Sequence, residues 1–122
     1  MSAWLAAFLF TELVETPIYV RALRDDREGR RAGEAAQAGR GRAIATAFAA
    51  SALTHPIVWF VMPELIPGDY MIMVAVAELF AVVVEAAWLW AFGLRRALLW
   101  ALFANAASVC LGLLSRRIFG WP

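Results

Sequence analysis

The sequence predicts an all-α polytopic membrane protein, in which four transmembrane helices form one bundle with an inward-facing polar seam. Of its 122 residues, 63% are hydrophobic and only 17% are charged. A soluble domain of this size buries too small a fraction of its chain to hide so many apolar side chains. Four apolar runs are also long enough to cross a bilayer. We therefore expect a single integral-membrane domain over residues 1–122, in contact with the lipid bilayer.

The predicted spans and their connections follow in order along the chain. The spans are residues 2–20, 43–62, 70–94 and 97–114. Between the first two spans lies a charged loop, residues 21–42, which contains seven Arg and four acidic residues. The second connection, residues 63–69, has two Pro and one Gly, a composition typical of a tight turn. The third connection is only a few residues long.

The placement of charge predicts the orientation. Nine of the eleven Arg lie in the first and third connections, and basic loops stay in the cytoplasm. We therefore expect a bacterial inner-membrane protein with both termini outside, although Arg116 and Arg117 run against this rule. The loop at residues 21–42 is expected to touch anionic lipid headgroups, and no nucleic-acid partner is expected. A single cysteine, Cys110, excludes an internal disulfide.

Polar residues recur at helical spacing within the spans. Glu12 and Glu15 lie three residues apart on the first span, and Glu78 and Glu85 lie seven apart on the third. Steps of three, four and seven keep residues on one helical face, so these stripes are expected to face inward. Together with polar residues of the other two spans they predict a cation- or proton-binding column: Glu12, Glu15, His55, Glu78, Glu85, Asn105 and Ser108.

Part of this column is expected at one depth. Counted from the nearest cytoplasmic Arg, Glu12, Glu85 and Asn105 lie nine or ten residues into their spans. At about 1.5 Å per residue, all three should lie near the bilayer midplane. A charge there costs about 2.5–3.5 kcal/mol, and no Arg inside a span neutralises it. The expected partner is a proton, a metal or other inorganic cation, or a cationic substrate.

A divalent metal ion is one such cofactor. Pro17 and Pro56 each leave a backbone carbonyl without its helical hydrogen bond, close to the acidic residues and to His55. Carboxylate and carbonyl oxygens suit a hard cation, and an added imidazole would suit Zn, Mn or Fe. The predicted metal ligands are Glu12, Glu15, His55 and Glu85.

Three functional hypotheses follow. The first is a small transport protein that binds or translocates a cation, either a metal ion or with proton coupling, and that forms a homo-oligomer. The second is an accessory or assembly subunit of a larger membrane complex, whose Glu residues are protonated helix–helix contacts. The third, a membrane metalloenzyme, is the least favoured, because carboxylate-bridged dimetal sites use two Glu-x-x-His motifs and the chain has one His.

Overall fold

The computed structural model describes residues 3–28 and 36–121. Its helices are α1 Ala3–Glu28, α2 Ala36–Pro56, α3 Met62–Leu65, α4 Tyr70–Ala91 and α5 Ala97–Phe119, with a π-helical segment, Ile57–Val61, between α2 and α3. No strand occurs in the part described. Within the described residues, four helical rods are long and apolar enough to cross a membrane: Ala3–Asp26, Gly39–Leu65, Tyr70–Ala91 and Ala97–Phe119. The predicted all-α fold class with four transmembrane helices is therefore confirmed.

Several helices continue beyond the predicted spans. The first span was expected to end at residue 20, but α1 continues to Glu28, and α5 continues past residue 114 to Phe119. In the extension of α1, Arg21 Nε lies 3.6 Å from Asp25 Oδ2, an exposed pair one helical turn apart. The central part of the predicted Arg-rich loop, residues 29–35, lies outside the described residues.

The four rods form a ring. Helix α1 packs against α2 and α5, and α4 packs against the same two helices, so the order around the ring is α1, α2, α4, α5. Two ends of the bundle can be distinguished. The arginine end contains the end of α1, the start of α2 and the short α4–α5 turn, and the proline end contains Pro63, Pro67 and the start of α4.

Alanine is the main residue type where the helices approach closely. Ala43 and Ala47 of α2 and Ala101 and Ala104 of α5 are completely buried. Small side chains let helix backbones come close, so that van der Waals contact replaces the hydrophobic effect that lipid does not supply. Most of this core lies toward the arginine end, where larger side chains fill the remaining space: Tyr19, Leu23, Leu89 and Leu94.

The π-helical segment follows directly from a proline. Pro56 has no N–H, so it cannot donate to the carbonyl of Ala52 as a regular helix requires. Past this point the helix widens, and the N–H of Met62 donates to the carbonyl of Ile57, five residues earlier. Such wide turns are rare, and they occur frequently at functional sites. This one lies on the proline side of His55.

Candidate functional site

The carboxyl group of Glu85 on α4 joins all four helices at one level. Tyr19 Oη donates to Glu85 Oε2 over 2.5 Å, and Asn105 Nδ2 donates to the same oxygen over 2.8 Å. Thr54 Oγ1 donates to the other oxygen, Oε1, over 2.7 Å. These donors come from α1, α5 and α2. We call Glu85, Tyr19, Thr54 and Asn105 the Glu85 cluster; Glu85 is only 1% exposed within it.

A second buried carboxyl, that of Glu15 on α1, lies beside this cluster. Ser51 Oγ of α2 donates to Glu15 Oε2 over 2.6 Å, and Ser108 Oγ of α5 donates to Oε1 over 2.5 Å. Glu15, Ser51 and Ser108 form the Glu15 cluster, which ties three helices together. Both oxygens of Glu15 and both oxygens of Glu85 therefore have donors, as buried polar atoms require.

A cavity of about 490 Å³, which we call the vestibule, extends from these clusters toward the proline end. All four rods line it. Its apolar wall includes Phe10, Val58, Trp59, Met73, Val74 and Val109. Three carboxyl groups border it, those of Glu15, Glu78 and Glu85, and none of its described lining residues is an Arg.

Glu78 differs from the other two vestibule carboxyls. It lies seven residues before Glu85 on α4, which is about 10 Å along the helix toward the proline end. Unlike Glu85, it makes no hydrogen bond with any of the residues that the structure describes. Its side chain is half-buried in the vestibule wall. Glu78 is therefore the carboxyl that is left open to a molecule in the cavity.

Glu12 is not at the level where the sequence placed it. Its Oε2 accepts a hydrogen bond from Thr16 of the same helix over 2.6 Å, and its buried Oε1 has no partner among the described residues. Tyr19, seven residues farther along α1, meets Glu85 instead. The count from Arg21 was misleading because the bundle continues past that residue: Ala22 and Leu23 are 1% and 2% exposed.

His55 lies among aromatic rings at the edge of the vestibule. Its ring centroid is 5.4 Å from that of Phe8, 6.1 Å from that of Trp59 and 6.4 Å from that of Trp4. His55 Nε2 is buried and has no hydrogen-bond partner in the described part of the chain. Neither ring nitrogen is bonded to a carboxyl group there.

The four predicted metal ligands are not brought into one coordination site. Within residues 3–28 and 36–121, no group of three or more His, Cys, Asp or Glu side chains could hold a metal ion. Glu15 and Glu85 are occupied by hydroxyl and amide donors, His55 is surrounded by rings, and Glu12 contacts its own helix. The described residues therefore show no coordination geometry for the predicted metal ion.

Of the predicted column, the structure brings Glu85 together with Asn105, and Glu15 together with Ser108. It also adds three residues that were absent from the predicted site: Tyr19, Ser51 and Thr54. A signal for each was present in the sequence. Tyr19 lies four residues after Glu15, and Ser51 and Thr54 lie three apart, so each shares a helical stripe with other polar residues.

The site thus consists of two buried carboxyl clusters that join the helices and of the vestibule, which extends from the clusters toward the proline end. Chemically, it offers negative or proton-accepting oxygens at the end of a largely apolar cavity. No protein-family model, no curated protein and no solved structure matches this chain.

Proposed function

We propose that the chain binds a cation in the vestibule and translocates it across the membrane past the Glu15 and Glu85 clusters. The observation that carries this proposal is a cavity between four membrane-length helices, bordered by three carboxyl groups and by no described Arg. Carboxylates in a cavity with low-dielectric walls attract and concentrate cations. Ionisable residues inside a membrane bundle mark ion or substrate pathways.

Two hydroxyl groups allow the buried carboxyls to take up a proton, so the proposed cation transport can be coupled to protons. Thr54 Oγ1 lies 2.7 Å from Glu85 Oε1 and 3.1 Å from the carbonyl oxygen of Ser51. Ser108 Oγ lies 2.5 Å from Glu15 Oε1 and 3.0 Å from the carbonyl oxygen of Asn105. A hydroxyl both donates and accepts, so each can turn its hydrogen to the carbonyl and accept a bond from a protonated carboxyl. Proton uptake then needs no movement of heavy atoms.

Flux through liposomes tests the transport proposal. The full chain would be reconstituted with an internal pH dye, and proton flux would be followed after a cation gradient is imposed. We expect wild-type flux above that of empty liposomes, and its loss in Glu85→Gln and Glu78→Gln. Glu64→Gln is the matched control, because Glu64 is exposed in α3 and does not line the vestibule. Flux that is equal in all four proteins would contradict the proposal.

An accessory or assembly role is the second candidate, and the hydrogen bonding of Glu15 and Glu85 favours it. Their oxygens accept bonds only from side chains of other helices within the described residues, as expected of carboxyls that hold helices together. This role predicts a stoichiometric membrane partner after purification in mild detergent. It also predicts that Glu78→Gln leaves the assembly intact. The homo-oligomer that we propose for the transport protein is a separate question, and cross-linking in the same detergent tests it.

We further propose the inner membrane of a bacterium as the location, with the arginine end in the cytoplasm against anionic headgroups. The vestibule would then open away from the cytoplasm. Cysteine labelling in a Cys110→Ser background tests this orientation. A membrane-impermeant thiol reagent added to intact cells should label Asp69→Cys at the proline end and should not label Arg42→Cys. The opposite pattern would reverse the orientation.

A further inference from the structure

The size of the vestibule constrains what can fill it. Its volume of about 490 Å³ falls within the range of roughly 300–1,000 Å³ that is typical of small-molecule sites. A single inorganic ion would occupy little of this space. Such an ion would also need several oxygen or nitrogen ligands around it, and the described residues contain no group of acidic, His or Cys side chains that could hold a metal ion.

The walls of the vestibule suit an organic molecule. Apolar side chains from all four rods face the cavity, and among them the indole of Trp59 is 39% exposed. An indole face attracts cations, and it also gives a flat surface for an apolar ring. A strongly hydrated ion would gain little from walls of this kind. An organic ligand with an apolar body can cover them.

Two polar groups at the vestibule have no partner in the described part of the chain. One is the half-buried carboxyl of Glu78, and the other is the buried Nε2 of His55. Buried polar atoms are normally hydrogen-bonded, so the unpaired Nε2 of His55 indicates a group supplied from elsewhere, while the half-buried carboxyl of Glu78 is open to a molecule in the cavity. The carboxyls of Glu15 and Glu85 already have donors on both oxygens. Glu78 is therefore the carboxyl that can pair with the charged group of a ligand.

We infer that the vestibule binds an organic ammonium ion with an apolar body, whose N–H groups pair with Glu78 and whose body lies against Trp59. This inference rests on the proposed function and specifies the class of cation. The cavity volume indicates a small molecule, the apolar wall indicates an apolar body, and the carboxyl of Glu78 indicates a cationic group. The Glu15 and Glu85 clusters lie at the deep end of the same cavity.

Calorimetry on the full chain in detergent provides the test. The probes are 4-phenylbutylammonium, its neutral analogue 4-phenylbutanol, and Mg²⁺ and Mn²⁺ alone. We expect the ammonium to bind at least about tenfold more tightly than the alcohol, as expected of a charge-assisted hydrogen bond in a partly buried site. Glu78→Gln should remove most of this preference, whereas the exposed control Glu64→Gln should keep it. Trp59→Leu should weaken binding severalfold, and Trp90→Leu, at a residue that does not line the vestibule, should not.

The outcomes separate this inference from the proposed function. Equal binding of the ammonium and the alcohol, or equal binding by Glu78→Gln and Glu64→Gln, would overturn the inference, since partition into the micelle explains both. Flux of an inorganic cation or of protons that depends on Glu85, without saturable ammonium binding, would also overturn it and would leave the proposed function standing. The absence of both flux and ammonium binding would overturn both.

Discussion

The two halves of the bundle are built from the same four helical rods but differ in how their polar and apolar groups are paired. Toward the arginine end, Tyr19, Leu23, Leu89 and Leu94 are at most 2% exposed, and the buried carboxyl of Glu85 has donors on both oxygens. Toward the proline end the rods enclose the vestibule, and there the carboxyl of Glu78 makes no hydrogen bond with any described residue. The packed half holds the helices together, so the other half can leave space and polar groups open.

Residue choice explains this difference. Alanines on α2 and α5 permit close backbone approach in the packed half. In the open half, Pro56 interrupts regular hydrogen bonding, and the π-helical segment carries larger residues, of which Val58 and Trp59 border the vestibule. The Glu85 cluster lies at the boundary between the halves. It is the level at which all four rods are joined by hydrogen bonds.

The largest difference between the halves is expected for two glutamates of one helix. Glu85→Ala removes the acceptor of three buried donors and leaves a cavity, so it should lower the free energy of unfolding by about 2–4 kcal/mol. Glu78→Ala breaks no hydrogen bond among the described residues and should change the free energy of unfolding by less than about 0.5 kcal/mol. Denaturant titration in micelles measures both. Similar losses for the two variants would mean that the Glu85 cluster does not hold the bundle together.

A matched pair of alanines tests the packing of each half. Ala47 is completely buried between helices toward the arginine end, whereas Ala7 borders the vestibule. Ala47→Leu should destabilise the protein by about 1–3 kcal/mol because the backbones must separate. Ala7→Leu has space to fill and should leave the stability unchanged while it weakens binding of 4-phenylbutylammonium. If Ala7→Leu proved as destabilising as Ala47→Leu, the vestibule would not be open space.

Much of the fold could be predicted from the sequence, because its signals are local. Hydropathy and span length predict four membrane helices, and spacings of three, four and seven predict which polar residues face inward. The count of residues from the nearest Arg also predicted that Glu85 and Asn105 would share a level, and the two are hydrogen-bonded at 2.8 Å. The helix ends were less well predicted, since a helix can continue past the apolar residues that identify it, as α1 does after residue 20.

The site was harder to predict, because it depends on the offset between helices. The register of α1 against α4 depends on packing between helices, in a core that includes the buried Leu23 and Leu89, and no spacing within one helix reveals it. Helix α1 is shifted along its axis by about two turns from the predicted register, so Tyr19 and not Glu12 lies opposite Glu85. The aromatic surroundings of His55 were missed for the same reason, since they come from rings on α1 and on the π-helical segment.

The two tyrosines of the chain give a smaller contrast. Tyr19 is completely buried and donates to Glu85, whereas Tyr70 is 65% exposed at the proline end. Tyr19→Phe removes two interhelical hydrogen bonds, the one donated to Glu85 and the one accepted from Asn105 Nδ2, and should lower the free energy of unfolding by at least about 0.6–1.7 kcal/mol. Tyr70→Phe should have no measurable effect in the same denaturant titration. A loss in Tyr70→Phe alone would contradict the view that polar contacts of the packed half stabilise the bundle.

Within the packed half, the smallest effect is expected for Glu85→Gln, and its size tests how this half accommodates a proton on Glu85. The new amide oxygen can still accept from Tyr19 and Asn105, and the new NH₂ group can donate to Thr54 Oγ1. The Thr54 hydroxyl would then turn to the carbonyl oxygen of Ser51, 3.1 Å away. Every group keeps a partner, so the change in the free energy of unfolding should be below about 0.5 kcal/mol.

Removing the Thr54 hydroxyl tests whether it turns to accept a hydrogen bond from this NH₂ group. Thr54→Val leaves Glu85 Oε1 without its donor in the single variant, and it leaves the new NH₂ group without its acceptor when combined with Glu85→Gln. An unpaired buried group costs about 1–3 kcal/mol, so Thr54→Val should lower the free energy of unfolding by a similar amount in both backgrounds. If Thr54→Val costs nothing in the Glu85→Gln background, the Thr54 hydroxyl does not turn to accept from the NH₂ group. A stable Glu85→Gln protein would also show that its loss of flux reflects the missing carboxylate and not an unfolded bundle.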